Sequence, residues 1–142
     1  GFPIGAVLVN EQHAELFTPG SHGTTYGGSP LACTAAHAVL DVIEAENLIE
    51  QARTTGKNFK IELQELAAQF PQKVKEVKGR GLMLGLGLSF EPPSLVSHLR
   101  ENGLITVGAA GNTLRLLPPL TVKNNEIAEA LEIIKSGLAH FK

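Results

Sequence analysis

The sequence predicts an α/β chain in which a short mixed or antiparallel sheet is packed with helices. Two helical stripes point to this: Leu48, Ala52, Phe59, Leu63, Leu66 and Phe70, and near the C-terminus Ile127, Leu131, Ile134, Leu138 and Phe141. Residues 82–88 are apolar throughout and read as a central strand, although Gly85 and Gly87 suit close packing against a helix equally well. Residues 104–107 and 113–117 read as two further strands around a Gly/Ala/Asn turn, the second stopped by Pro118-Pro119.

The remaining elements follow in chain order. Residues 4–9 form a short, nearly continuous apolar run and read as a buried strand. Such a strand needs neighbours, and the sequence nearby supplies none. With a start at Gly1-Phe2-Pro3 directly ahead of it, the run predicts a piece of a longer chain that self-associates through an open strand edge. Residues 10–29 are polar and turn-rich. A helix is expected from Pro30, with Leu31, Ala35, Ala38, Val39 and Val42 at helical spacing and a pause around 44–47. In the second stripe Gly56 weakens the helix slightly, and Pro71 ends it. Val74 and Val77 suggest a strand, followed by a turn or bulge at Gly79-Arg80-Gly81. Residues 94–102 read as a short helix closed by Asn102-Gly103, and Asn124 or Asn125 is the expected cap of the last helix.

Composition narrows the function classes. The chain has 142 residues, 43% hydrophobic and 18% charged, with a net charge of −2, which describes a globular domain. The densest basic stretch, residues 73–80, is broken by Glu76 and alternates like a solvated strand face rather than a nucleic-acid surface. A single cysteine, Cys33, excludes an internal disulfide framework and suits a reducing cytoplasm. Cys33 itself is expected to be a buried small hydrophobe. His13, His37, His98 and His140 show no ligand spacing, so no metal site is inferred.

The stretch most suggestive of binding is His22-Gly23-Thr24-Thr25-Tyr26-Gly27-Gly28-Ser29-Pro30-Leu31-Ala32. Glycines allow a ligand close to the backbone, and a helix N-terminus behind them offers unpaired N–H groups and partial positive charge. Ser29 is placed as N-cap and Pro30 as the first helical residue. A phosphate or carboxylate would sit there, held by Thr24 or Thr25; the same composition also makes an ordinary loop and cap. His22 reads as a loop residue adjusting the glycine turn.

Gly1-Phe2-Pro3-Ile4-Gly5-Ala6, the 22–33 stretch, Val77-Lys78-Gly79-Arg80-Gly81-Leu82-Met83-Leu84-Gly85 and Leu114-Arg115-Leu116-Leu117-Pro118-Pro119-Leu120-Thr121 occur in this order. Together they resemble the C-terminal part of class III pyridoxal-phosphate aminotransferases, within the fold-type I transferases. The nearest branch is the one acting on N-acetylornithine in arginine biosynthesis; ornithine, succinylornithine and 4-aminobutyrate enzymes carry similar phrases.

The resemblance implies residues 1–29 as a remnant of the large cofactor domain, 30–71 as interdomain helices and 72–142 as the C-terminal small domain. It implies pyridoxal 5'-phosphate as cofactor and a homodimer whose cofactor site is shared across subunits. Thr25 would contact the cofactor phosphate in the partner's site, and Thr24 would lie near the substrate. Arg115 would handle a substrate carboxylate or pair with an active-site glutamate; its position alone favours a structural ion pair at a strand end, and the motif shifts the reading to a site role. Ser29 stands where the family usually has Asn. The family's Schiff-base lysine lies just before the Gly-Phe-Pro-Ile-Gly phrase, and no lysine of this chain matches that context. The chain alone is therefore expected to be inactive. A non-enzymatic phosphate-binding or assembly module is the alternative.

Overall fold

The computed structural model describes residues 2–141. Their contacts divide the chain into two compact units, Gly1–Asn47 and Leu48–Lys142, so the division runs between the two helices of the 30–71 stretch.

The first unit holds a single helical turn, α1 (Glu11–Ala14), and the longer α2 (Pro30–Ala45). The strand expected at 4–9 is not formed. These residues form no ladder, with Val7 82% and Leu8 92% exposed. The physical reason is the missing ladder: a lone segment satisfies none of its backbone groups by pairing, and no partner strand exists in this unit among the described residues. The stripe on α2 forms as expected but stays uncovered, with Leu31 and Val39 exposed. Asn47, at φ +50°, occupies the left-handed region that breaks the helical path after α2.

The second unit begins with α3 (Leu48–Ala68), followed by β1 (Val74–Arg80) and β2 (Met83–Leu88). Then come α4 (Pro93–Glu101), β3 (Val107–Ala109), β4 (Thr113–Leu116) and α5 (Asn124–His140). The strands form one sheet in the order β1-β2-β4-β3, antiparallel throughout. Of the two sheet types the sequence allowed, the antiparallel one is realised, because a two-residue turn joins Arg80 to Met83 and a short loop joins β3 to β4. The irregularity in β1 falls between Val74 and Glu76 rather than at 79–81.

β2 shows how sequence pattern becomes a layer. Leu84, Leu86 and Leu88 are at most 2% exposed and pack with Leu114 and Leu116 against Phe59, Leu63 and Leu66 of α3. Leu95 and Leu99 of α4 and Ile134 and Leu138 of α5 complete that core. Gly85 and Gly87 point the other way, where neighbours claim their space: a Cβ on Gly85 would lie 2.7 Å from the Thr113 methyl. Gly137 does the same between helices, its missing Cβ leaving room for Leu95 and Leu99.

Two ends differ from expectation. The strand expected at 104–107 begins only at Val107, because Leu104 belongs to the end of α4. Its N–H donates to Leu99 O and that of Gly103 to Arg100 O, a Schellman closure with Gly103 at φ +93°. The cap of α5 is Lys123, not Asn124 or Asn125; its backbone N–H donates to the Glu126 carboxylate at 2.7 Å, which fixes the start one residue earlier.

The far end of α5 is tied to the chain before β1. The Lys73 ammonium donates to the carbonyls of Leu138 and Phe141 and sits 5.7 Å from the Phe70 ring centre. A cation on terminal carbonyls satisfies orphan acceptors and complements the helix dipole. Lys73→Met is expected to lower stability by about 1.5 kcal/mol, in line with hydrogen bonds to a charged group. Urea unfolding would show it, and amide exchange would rise first at residues 138–141. No helix among the described residues is long and apolar enough to cross a membrane.

Candidate functional site

The residues singled out by the sequence lie in both units. Thr24 precedes, and Thr25 opens, the four-residue turn 25–28 that leads into α2, and both are exposed. Around them Ser21 Oγ donates to Thr18 O and Cys33 N–H to Ser29 O, and Thr24 and Thr25 themselves take part in no hydrogen bond among the described residues. The glycines shape the loop in two ways. Gly28 is at φ +72°, and a Cβ on Gly27 would lie 2.3 Å from the Thr24 Cγ2, so the Thr24 methyl folds over a bare backbone.

Ser29 is the N-cap residue, as its placement before Pro30 implies, but its side chain makes no cap bond. The first-turn amides of α2 are thus left without a side-chain acceptor. An exposed pair of hydroxyls in front of such amides fits an anionic oxygen cluster such as a phosphate. His22 stands beside Phe17, ring centres 6.0 Å apart, which matches a loop-packing residue. Cys33 is half-buried, not buried as expected, because the α2 face that carries it is incompletely covered.

Arg115 sits in β4, opposite Gly85 of β2 and Val107 of β3. Its neighbours Leu114 and Leu116 face the core, so Arg115 points to the face without helices and is exposed. With glycine across the strand, nothing on β2 covers it. The ion pairs among the described residues are Arg53–Glu50 and Lys78–Glu76, so the guanidinium fork has no carboxylate partner there. The structural-ion-pair reading of Arg115 thus finds no partner among these residues.

Sequence spacing missed one juxtaposition. The rings of His98 and His140, from the last turns of α4 and α5, stack with centres 4.6 Å apart and planes 12° apart, and Phe141 meets both edge-on. They are 42 residues apart in sequence, so only the packing of α4 on α5 could reveal the pair. Parallel stacked rings do not aim their nitrogens at one point, and no cluster of three potential metal ligands exists among the described residues.

Each unit thus carries one feature suited to an anion, the loop before α2 in the first and the exposed Arg115 in the second. The family description "Aminotransferase class-III" matches residues 1–138, and the chain belongs to this pyridoxal-phosphate-dependent family. It is 43% identical over 141 residues to the acetylornithine aminotransferase of Bacillus subtilis, covering 99% of this chain and 36% of that protein. Among solved structures it is similar to the acetylornithine aminotransferase of Elizabethkingia anophelis. That match has a TM-score of 0.81 and 34% identity, over 94% of this chain and 34% of the other. It is also similar to an ornithine aminotransferase from Plasmodium yoelii, with a TM-score of 0.84 and 33% identity, over 95% and 36% of the two chains. The chain spans about a third of the length of the relatives it matches.

Proposed function

We propose that this chain is the C-terminal portion of an aminotransferase that moves the δ-amino group of N-acetylornithine to 2-oxoglutarate. The single observation that supports this best is the match to a family of that chemistry over residues 1–138, with acetylornithine aminotransferases among its relatives. In this reading residues 1–29 belong to the large domain, 30–71 to interdomain helices and 72–142 to the small domain. Pyridoxal 5'-phosphate, when bound, acts as the electron sink for the amino-acid carbon.

The residues of this chain have positioning roles. Thr25, with the amides at the start of α2, holds the cofactor phosphate in the partner subunit's site of a homodimer. Thr24 borders the substrate. Arg115 receives a substrate carboxylate, which its planar fork can hold through two parallel bonds. None of the chain's lysines stands in the context of the family's cofactor-bonding lysine, so the 142-residue chain alone is expected to show no turnover.

The test is a donor panel on the whole enzyme with 2-oxoglutarate as acceptor. The reading expects kcat/KM highest for N-acetylornithine; a clear preference for ornithine or 4-aminobutyrate would overturn the donor assignment. Ornithine is the second reading, because the likeness to an ornithine aminotransferase, at a TM-score of 0.84, is as close as that to the acetylornithine enzyme. Thr25→Ala in the whole enzyme is expected to raise the cofactor dissociation constant about tenfold, the loss of one hydrogen bond to a charged group. Cofactor titration by absorbance would measure it, and an unchanged constant would remove Thr25 from the phosphate site.

A further inference from the structure

Four cations gather where α3 crosses the β1–β2 turn. Arg53, Lys57 and Lys60 follow one another at four and three residues along α3, which brings them to one helix face. The fourth cation, Arg80, ends β1 at the turn. The approach is close because Gly56 has no side chain: a Cβ there would lie 2.2 Å from Gly81 O. The turn itself needs glycine on both sides of Arg80, with Gly79 at φ +115° and Gly81 at φ +56°.

Between these elements lies a cavity of about 450 Å³ whose charged lining is Arg53, Lys57, Lys60 and Arg80, with no carboxylate among the lining residues. Two cations are partly engaged. Lys60 donates to Gly79 O at 3.1 Å and so spans the gap from helix to turn. Arg53 meets Glu50 at 3.0 Å, an exposed pair that competes weakly for the guanidinium. Lys57 and Arg80 have no ion-pair or hydrogen-bond partner among the described residues. Four like charges around one concavity, in a chain whose net charge is −2, focus positive potential on that spot. An arginine fork beside lysine point charges is the donor set suited to phosphate oxygens.

We propose that this cavity binds a small phosphorylated anion bearing two adjacent phosphate groups, a diphosphate or its ester, at a place separate in sequence from the Thr24-Thr25 loop. Cations from two elements, Lys57 on α3 and Arg80 at the β1–β2 turn, can each engage one end of such a ligand. The glycine contacts shape the site, while the unpartnered Lys57 and Arg80 recognise the ligand.

Calorimetric titration of pyrophosphate into the protein, at constant ionic strength set with chloride, tests this. The wild type is expected to give saturable one-site binding, weakened at least tenfold in the Lys57→Ala/Arg80→Ala double variant. Orthophosphate and sulfate should bind more weakly than pyrophosphate. Both side chains are exposed, so the variant should keep the wild-type thermal unfolding curve. Equal pyrophosphate affinity in wild type and double variant would overturn the proposal, as would wild-type binding that chloride alone abolishes at matched ionic strength.

Discussion

Gly56→Ala is expected to destabilise the Leu48–Lys142 unit by about 2 kcal/mol, the cost of forcing extra atoms into a packed contact. Helix propensity argues the opposite sign, since alanine is favoured over glycine in a helix interior by about 1 kcal/mol. The geometry decides between them. A Cβ at Gly56 would lie 2.2 Å from Gly81 O and 2.3 Å from Gly81 C, which are backbone atoms of a turn already held in the left-handed region. No side chain can swing aside, so α3 or the β1–β2 turn must move. Such movement would also lengthen the Lys60 bond to Gly79 O. Urea unfolding measures the effect; a rise in midpoint would mean that helix and turn separate at little cost.

Arg115→Ala in the whole enzyme is expected to lower kcat/KM about 100-fold, the loss of roughly 2–3 kcal/mol from a two-bond carboxylate contact. The side chain is exposed on the helix-free sheet face and has no ion-pair partner among the described residues, so truncation should leave unfolding nearly unchanged. Arg115→Lys keeps the charge but loses the fork, and should recover only part of the activity. Steady-state kinetics with varied 2-oxoglutarate reads both. Lost stability with kcat/KM intact would instead mark Arg115 as a structural residue.

Much of the second unit was legible because its burial is periodic. The leucines at 84, 86 and 88 are core, as are Phe59, Leu63 and Leu66 of the α3 stripe and Ile127, Ile134 and Leu138 of the α5 stripe. Where reading failed, a competing local interaction or a missing partner won. Residues 4–9 have strand composition but no ladder, and a strand cannot exist singly. Leu104 has strand composition but closes α4. Gly56 read as a minor weakness, yet it is a contact point whose meaning depends on Gly81, 25 residues away. The site divides in the same way. The 22–32 loop was visible because glycines before a helix start leave marks in sequence, whereas Arg115 stood out only through the resemblance of the Leu114–Thr121 phrase. The cationic cavity was not, since Arg80 sits in a stretch that read as a solvated strand face and its companions lie on α3.

In the proposed function, the 22–32 loop serves the neighbouring subunit's cofactor site through Thr25. Hybrid dimers test it most directly. One subunit carries Thr25→Ala; the other keeps Thr25 but has its cofactor-bonding lysine replaced. If Thr25 acts across the interface, the one site with an intact lysine receives the intact Thr25. The hybrid should then show about half the wild-type turnover, with wild-type cofactor affinity. A hybrid whose lysine-intact site binds cofactor as weakly as the Thr25→Ala homodimer would contradict this and place Thr25 within its own subunit's site.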